Sequence, residues 1–251
     1  MLHSFTTNIH PVSTTNVRKA VPIDFTQMLE IQQTAIPVCL DEISHISNAI
    51  NDIKRIGLGA FELEMLINYS TLSDKDFLVT KIRDISLLAR SFSASVIEFK
   101  DISSAVVDKI SRFNESNSST LQISGPCQRS TLLHCITKGD YEIWAQEANY
   151  LTELLETFIL DTQRCVYYLA RMRSHMNTIG GVVAKDVFSL SGHIRIFDEH
   201  VLLSRNIDTY VNQAHLRVEK ASFILRTTGH NAEQLRLKLK GVLIETSKSL
   251  Y

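Results

Sequence analysis

Residues 144–183 read WAQEANYLTELLETFILDTQRCVYYLARMRSHMNTIGGVV, and they decide the fold. Apolar or small residues recur along this stretch at alternating spacings of four and three: Trp144, Ala148, Leu151, Leu155, Phe158, Thr162, Cys165, Leu169, Met172, Met176, Ile179 and Val183. This spacing places the side chains in one row along one side of an α-helix. Because so long an apolar row has to be covered by other helices, the stretch predicts a long helix with helical partners.

Two further stretches show the same spacing. One consists of Leu78, Ile82, Ile85, Ala89, Phe92, Val96, Phe99, Ser103, Val106, Ile110 and Phe113. The other consists of Ile207, Val211, Ala214, Val218, Ala221, Leu225, Thr228, Ala232, Leu235, Leu239 and Val242. We call each of the three rows a seam. Three seams in 251 residues with only four prolines and nine glycines predict an all-α protein, an elongated antiparallel bundle with coiled-coil-like heptad seams.

The N-terminal part of the chain has two expected boundaries. Residues 1–23 are rich in Ser and Thr and contain no acids, which predicts a disordered tail. Residues 24–113 form a helical segment in which Gly57 and Gly59 are expected to end one helix. Phe113 is the expected last residue of the helix that carries the first seam.

A polar break and a second helical segment follow. Residues 114–126 are dominated by Asn, Ser and Thr and include Gly125 and Pro126, which predicts a break. Residues 127–251 form the C-terminal helical segment, with a helix end or bend at Gly180 and Gly181. We expect this segment to pack with residues 24–113 as one bundle.

The two halves of the chain carry opposite charge. Up to Gln163 there are 13 Lys and Arg against 20 Asp and Glu, and from Arg164 onward there are 13 against 7. Folded together, the halves would attract each other; alternatively, the basic half faces an acidic surface elsewhere.

A basic and apolar segment near the C-terminus is the only candidate site. Its cations are Arg226, Arg236, Lys238, Lys240 and Lys248, and apolar residues alternate with them. Such a segment can lie on an anionic membrane or dock on a partner protein. It can also be an ordinary last helix of a bundle with a solvated face and cations near its C-terminus, which is the favoured interpretation. Nucleic-acid binding is not expected, because the cations are sparse and lack interleaved aromatic residues.

No catalytic, cofactor-binding or metal-binding site is predicted. Glu42 and His45 have the Glu-x-x-His spacing of helical metal sites, but the sequence holds no second copy. His193 and His200 are seven residues apart, and Glu199 lies next to His200. Seven residues span about 10 Å along a helix, which is too far for the two histidines to share one ion. The sequence also lacks the glycine-rich phosphate-binding and serine-nucleophile motifs.

The cysteines and the hydropathy favour a cytoplasmic location. Cys39, Cys127, Cys135 and Cys165 show no C-x-x-C pair and no zinc-ligand spacing, which is typical of a reducing compartment. No uninterrupted apolar span approaches the roughly 18 residues of a transmembrane helix, so no transmembrane segment is expected.

A resemblance to a known group of proteins rests on three runs of the sequence: Leu72 to Phe113, Leu151 to Ile179 and Leu203 to Arg226. In helix order and heptad pattern they resemble a group of uncharacterised, entirely helical proteins of mushroom-forming fungi. Members of that group often carry a hydrophobic membrane anchor near one end, and this sequence differs from them because it shows none. The resemblance implies an all-helical fold and no assigned activity.

These observations predict a non-enzymatic interaction or scaffold protein that acts through helix packing. Its expected partner is another protein or a second copy of itself. The alternative is a peripheral membrane-binding or membrane-remodelling protein that uses the basic C-terminal half on an anionic surface.

Overall fold

The computed structural model describes residues 21–22, 30–70, 72, 74–123, 135–136, 138–190 and 198–250. The expected all-α class is confirmed, because nearly all of these residues are helical. The α-helices are α1 (Ile36–Ser44), α2 (Ile46–Asn68), α3 (Lys75–Ile123), α4 (Lys138–Leu190) and α5 (Asp198–Leu250). The strands β1 (Val21–Pro22) and β2 (Cys135–Ile136) form a two-residue antiparallel pair. The rest of the predicted N-terminal tail lies outside the described residues.

A π-helical turn, Ile31–Ala35, precedes α1. Pro37 lies in the first turn of α1, directly after the π-helical turn, so its missing N–H falls where the hydrogen-bond pattern changes from the π-helical to the α-helical one. Immediately before the proline, the N–H of Ile36 bonds to the carbonyl of Ile31. The backbone therefore stays helical while its hydrogen-bond pattern changes by one residue.

Each long helix packs against two others. α3 contacts α2 and α4, and α5 contacts α4 and the α1–α2 pair. Between α3 and α4, Phe99 stacks on Phe158 with ring centroids 5.0 Å apart, and Phe113 lies 5.8 Å from Trp144. Residue numbers therefore rise along α3 as they fall along α4.

Residue numbers also rise along α5 as they fall along each of its two neighbours, α4 and the N-terminal helices. On the α4 side they include Arg173–Glu219 and Glu156–Arg236. On the N-terminal side they include Glu30–Lys238, Asp52–Lys220 and Ile56–Tyr210. Contacts of α5 thus reach both the N-terminal and the C-terminal segments expected from the sequence.

The core consists of the three seams and a fourth apolar row on α2. Every seam residue whose side chain is described is buried, which confirms the predicted core positions. Phe92, Phe99 and Phe158 are among the largest fully buried side chains, whereas α5 contributes small residues such as Ala214 and Ala221. Small residues at these positions alternate with Val, Ile and Leu along the α5 seam, which suits close packing of α5 against its neighbours α4 and α2.

The predicted helix end at Gly57 and Gly59 is wrong, because α2 continues through both residues to Asn68. Each glycine costs a helix about 1 kcal/mol relative to alanine. At both positions another helix comes close: a Cβ on Gly57 would lie 3.0 Å from the Cβ of Ala89, and one on Gly59 would lie 2.8 Å from the Tyr210 ring. Tertiary packing at these contacts offsets the low helix propensity. α4 likewise continues through Gly180 and Gly181.

The helix predicted to end at Phe113 continues to Ile123, through most of the expected polar break at 114–126. Asn, Ser and Thr each cost a helix less than about 1 kcal/mol. The first strong breakers after Phe113 are Gly125 and Pro126. The polar composition therefore marks the approach to a boundary and not the end of the helix.

Candidate interaction surface

A row of exposed apolar side chains runs along the outside of α5. It consists of Leu202, Leu216, Phe223, Leu237 and Ile244, whose exposed fractions lie between 49% and 71%. We call this row the outer stripe. Its members are separated by multiples of seven residues, and Thr209 and His230 occupy the two remaining places. The stripe lies opposite the buried seam of α5, on the side that no other described helix covers.

Charged residues border the outer stripe on the side nearer α4. Between Leu216 and Ile244 these are Glu219, Arg226, Glu233 and Lys240, which alternate in sign at intervals of seven residues. From Gln213 to Gly241 the other border contains one cation, Lys220, together with Thr227 and Gln234. The stripe is thus apolar along its centre, alternately charged on one border and mostly neutral on the other.

The five cations expected to form a basic site do not share one environment. Arg236 donates from Nε and Nη2 to the Glu233 carboxylate, each at 2.7 Å, and lies 3.8 Å from Glu156. Lys238 bonds to Glu30 at 2.6 Å. Arg226 is exposed and has no ion-pair partner in the described part of the chain, Lys240 is half-buried, and the side chain of Lys248 lies outside the described residues.

The bidentate contact between Arg236 and Glu233 fixes the charges of both groups. The hydrogen bonds from Arg236 lower the pKa of Glu233, and the same bonds raise the pKa of Arg236. Glu233 therefore remains a carboxylate, and the guanidinium of Arg236 is already bound to an acid of its own chain. Arg236 and Lys238, two of the five cations of the basic C-terminal segment, are consequently paired with acids of the same chain.

A groove of about 540 Å³ lies between α4 and α5 beside the outer stripe. Its floor includes Leu225 and Gly229, and its walls carry Leu160, Arg226 and His230. A Cβ on Gly229 would lie 3.1 Å from the Thr162 side chain, so the two helices approach closely at this level. The groove is centred on residues 229 and 230 of α5.

A second exposed apolar cluster occupies the C-terminal half of α2. It consists of Leu58, Phe61, Met65, Leu66 and Tyr69, of which Tyr69 is 83% exposed. A groove of about 560 Å³ beside it, between α2 and α3, is bordered by Lys54 and Arg90. This cluster is shorter along its helix than the outer stripe.

The two cysteines in the described helices are buried free thiols. Burial raises the pKa of both Cys39 and Cys165 to about 12. A thiol with such a pKa remains protonated near neutral pH and is a poor nucleophile. Both residues act as small apolar groups in the core, as expected for Cys165 from its position in a seam.

The histidine positions considered as metal ligands are dispersed or outside the described region. His45 is exposed between α1 and α2, whereas the backbone carbonyl of Glu42 accepts a hydrogen bond from Thr228. His193 and the side chains of Glu199 and His200 lie outside the described residues. Among the residues that are described, no three metal-ligating side chains come together.

No protein-family model matches this chain, and no curated protein is significantly similar to it. Within the described helices, none is both long and apolar enough to cross a membrane.

The sequence reasoning found the basic residues of α5 but missed the outer stripe. A signal was present: Leu216 and Phe223 are seven residues apart, as are Leu237 and Ile244, and all four lie at the heptad position farthest from the seam. In a solvated bundle helix that position is usually polar.

Proposed function

We propose that this protein is a non-enzymatic scaffold, built as an elongated antiparallel helical bundle with coiled-coil-like seams, that binds other proteins through helix packing. The single observation that carries the proposal is the outer stripe. Leu216 and Phe223 are 70% and 71% exposed, although both lie on a helix whose opposite face is fully packed. A long exposed apolar row bordered by charges is typical of an interaction surface.

The opposite order of contacts along neighbouring helices supports the bundle architecture. The pairs Phe99–Phe158 and Phe113–Trp144 join α3 to α4 in this order. Burial of the seam residues, spaced alternately by four and three, supports packing of the coiled-coil type. The interior so formed is dominated by apolar groups, which favours a structural role over a catalytic one.

The charge pattern beside the stripe favours a protein partner over an anionic membrane. Membrane-bound amphipathic helices border their apolar face with cations. Here Glu219 and Glu233 interrupt the cations on one border, and Arg236 and Lys238 are held by carboxylates of the same chain. Alternating charges are instead suited to opposite charges on another protein.

The proposal is tested by photo-crosslinking in cells that express the protein. p-Benzoylphenylalanine is placed at Phe223, in the centre of the outer stripe, and in a second variant at Asp101, which is exposed on α3, a helix that packs against α2 and α4. We expect protein adducts, identified by mass spectrometry, from position 223 and few from position 101. Equal adducts from both positions, or none from either, would refute the proposed role of the stripe.

Vesicle flotation separates this function from membrane binding. The purified protein is mixed with phosphatidylserine-containing vesicles at low and at high salt. We expect the protein to remain in the soluble fraction under both conditions. Flotation that high salt reverses and that Phe223→Ser abolishes would replace the scaffold proposal with the membrane-binding one.

A further inference from the structure

We propose that the outer stripe binds a second copy of this chain, with the two α5 helices antiparallel and the two-fold axis at His230. This inference rests on the proposed scaffold function and names its partner. It follows from three features of α5: the spacing of the apolar residues, the order of the charges beside them, and the position of the groove between α4 and α5.

The apolar residues of the stripe are arranged symmetrically about His230. Phe223 and Leu237 lie seven residues before and after it, and Leu216 and Ile244 lie fourteen residues before and after it. In an antiparallel pair centred at His230, Phe223 therefore meets Leu237 of the second copy, and Leu216 meets Ile244. All four apolar residues of this region gain apolar partners in a single register.

The charged border of the stripe is complementary to itself in the same register. In an antiparallel pair related by a two-fold axis, the same border of each helix faces its copy. Glu219 then faces Lys240, and Arg226 faces Glu233. Because each pair occurs twice, four opposite-charge pairs form. A parallel pair would set this border against the nearly neutral one, where only Glu219 and Lys220 could pair.

The intrachain partners of these acids are compatible with the dimer. Glu219 lies 3.0 Å from Arg173, and Glu233 accepts two hydrogen bonds from Arg236. A carboxylate has about four acceptor sites, so each acid can accept from a second cation. Arg226, which has no ion-pair partner among the described residues, would gain one.

The groove between α4 and α5 lies at the level of the proposed axis. Its lining includes Leu160, which is 58% exposed, beside His230. Since the charged border is the one nearer α4, the two α4 helices lie on the same side of the dimer. The copies of Leu160 therefore approach each other near the axis and cover the apolar part of the groove.

The proposed contact is long and narrow. From Leu216 to Ile244 the helix extends about 42 Å at 1.5 Å per residue. A contact of that length and one helix in width lies near or below the roughly 1,200 Å² lower bound of standard specific interfaces. We therefore expect a micromolar dimer, measurable by sedimentation velocity as the concentration is raised.

Disulfide crosslinking tests the register. In a background in which Cys127 and Cys135 are replaced by serine, His230→Cys should form a covalent dimer under mild oxidation, because residue 230 meets itself at the axis. Leu216→Cys alone should not crosslink, but it should crosslink when mixed with Ile244→Cys. Strong crosslinking of Leu216→Cys to itself would show a parallel pair or an antiparallel pair in another register, and either result would overturn the proposal.

A charge exchange tests the same register without oxidation. Lys240→Glu places a carboxylate opposite Glu219 at two sites and should raise the dimer dissociation constant roughly tenfold, a change of about 1.4 kcal/mol. Adding Glu219→Lys restores opposite charges and should recover most of the affinity. A double variant as weak as the single one would contradict the pairing.

The outcomes distinguish this inference from the function on which it rests. Protein adducts at position 223 without any dimer at several hundred micromolar would overturn the self-pairing and leave the scaffold function intact. The absence of both adducts and dimer would overturn both.

Discussion

Replacement of Gly59 by alanine tests the closest approach between α2 and α5. A Cβ at residue 59 would lie 2.8 Å from Cε2 and 3.1 Å from Cδ2 of Tyr210. The Tyr210 ring cannot move freely, because its hydroxyl donates a hydrogen bond of 3.0 Å to the carbonyl of Ile56. The new methyl group must therefore displace a ring that is already held in place.

The expected magnitude is the difference between two effects. Alanine is favoured over glycine in a helix interior by about 0.8–1 kcal/mol. Overpacking at a tight contact costs about 1–3 kcal/mol. Gly59→Ala should therefore lower the free energy of unfolding by up to about 2 kcal/mol, and the overpacking cost should exceed the gain in helix propensity.

Gly181→Ala is the matched control. Gly181 also lies inside a long helix, but a Cβ there would meet nothing within 4 Å. We expect this variant to be more stable than the parent by about 0.5–1 kcal/mol. Urea unfolding followed by circular dichroism at 222 nm measures both changes.

The reasoning would be refuted if Gly59→Ala stabilised the protein as much as Gly181→Ala. A third variant identifies the ring as the cause. In a Tyr210→Ala background the space beside residue 59 is open, so Gly59→Ala should there lose its penalty and give only the helix-propensity gain. A penalty that persisted in this background would place its source elsewhere.

Two further predictions concern the core and the pH dependence of stability. Phe158→Ala should lower the free energy of unfolding by about 3–5 kcal/mol because the ring is fully buried. Leu160→Ala, at an exposed position nearby, should change the free energy of unfolding by less than about 0.5 kcal/mol. Equal urea midpoints for the two variants would contradict the assignment of Phe158 to the core. Burial lowers the pKa of His175, and Asp84, 3.7 Å away, offsets only part of this effect. As the pH falls below about 6.5, His175 therefore binds a proton in the unfolded chain before it does so in the folded one. The parent should lose more stability between pH 7 and pH 5 than His175→Gln does. Equal losses, measured from the urea midpoints, would argue against this burial effect.

The sequence predicted which residues are buried because helix periodicity and burial have the same physical cause. Leu155 and Leu239, for example, lie in long rows that recur on one helix face, and both are fully buried. Such a row can be recognised in the sequence without knowing which helix packs against it. The all-α class followed from the same property.

Helix ends and the interaction surface were less predictable because they depend on tertiary contacts. Gly59 would favour a helix end if only local propensity acted, but packing against Tyr210 favours continuation. Arg236 and Lys238 look like free cations in the sequence, and only the fold brings Glu156 and Glu30 next to them. The outer stripe could be found only after the seam had fixed which face of α5 is outside.

The contacts between α5 and the first helices have a consequence for the order of folding. α3 and α4 are neighbours along the chain, as are α4 and α5, so these pairs can form by short-range encounters. Glu30 and Lys238 are 208 residues apart, and Glu42 and Thr228 are 186 apart. Contacts of such high sequence separation carry a large loop-closure entropy and tend to form late. The short helix α1, with its π-helical turn, should therefore be the last element to dock and the first to exchange its amide hydrogens with solvent.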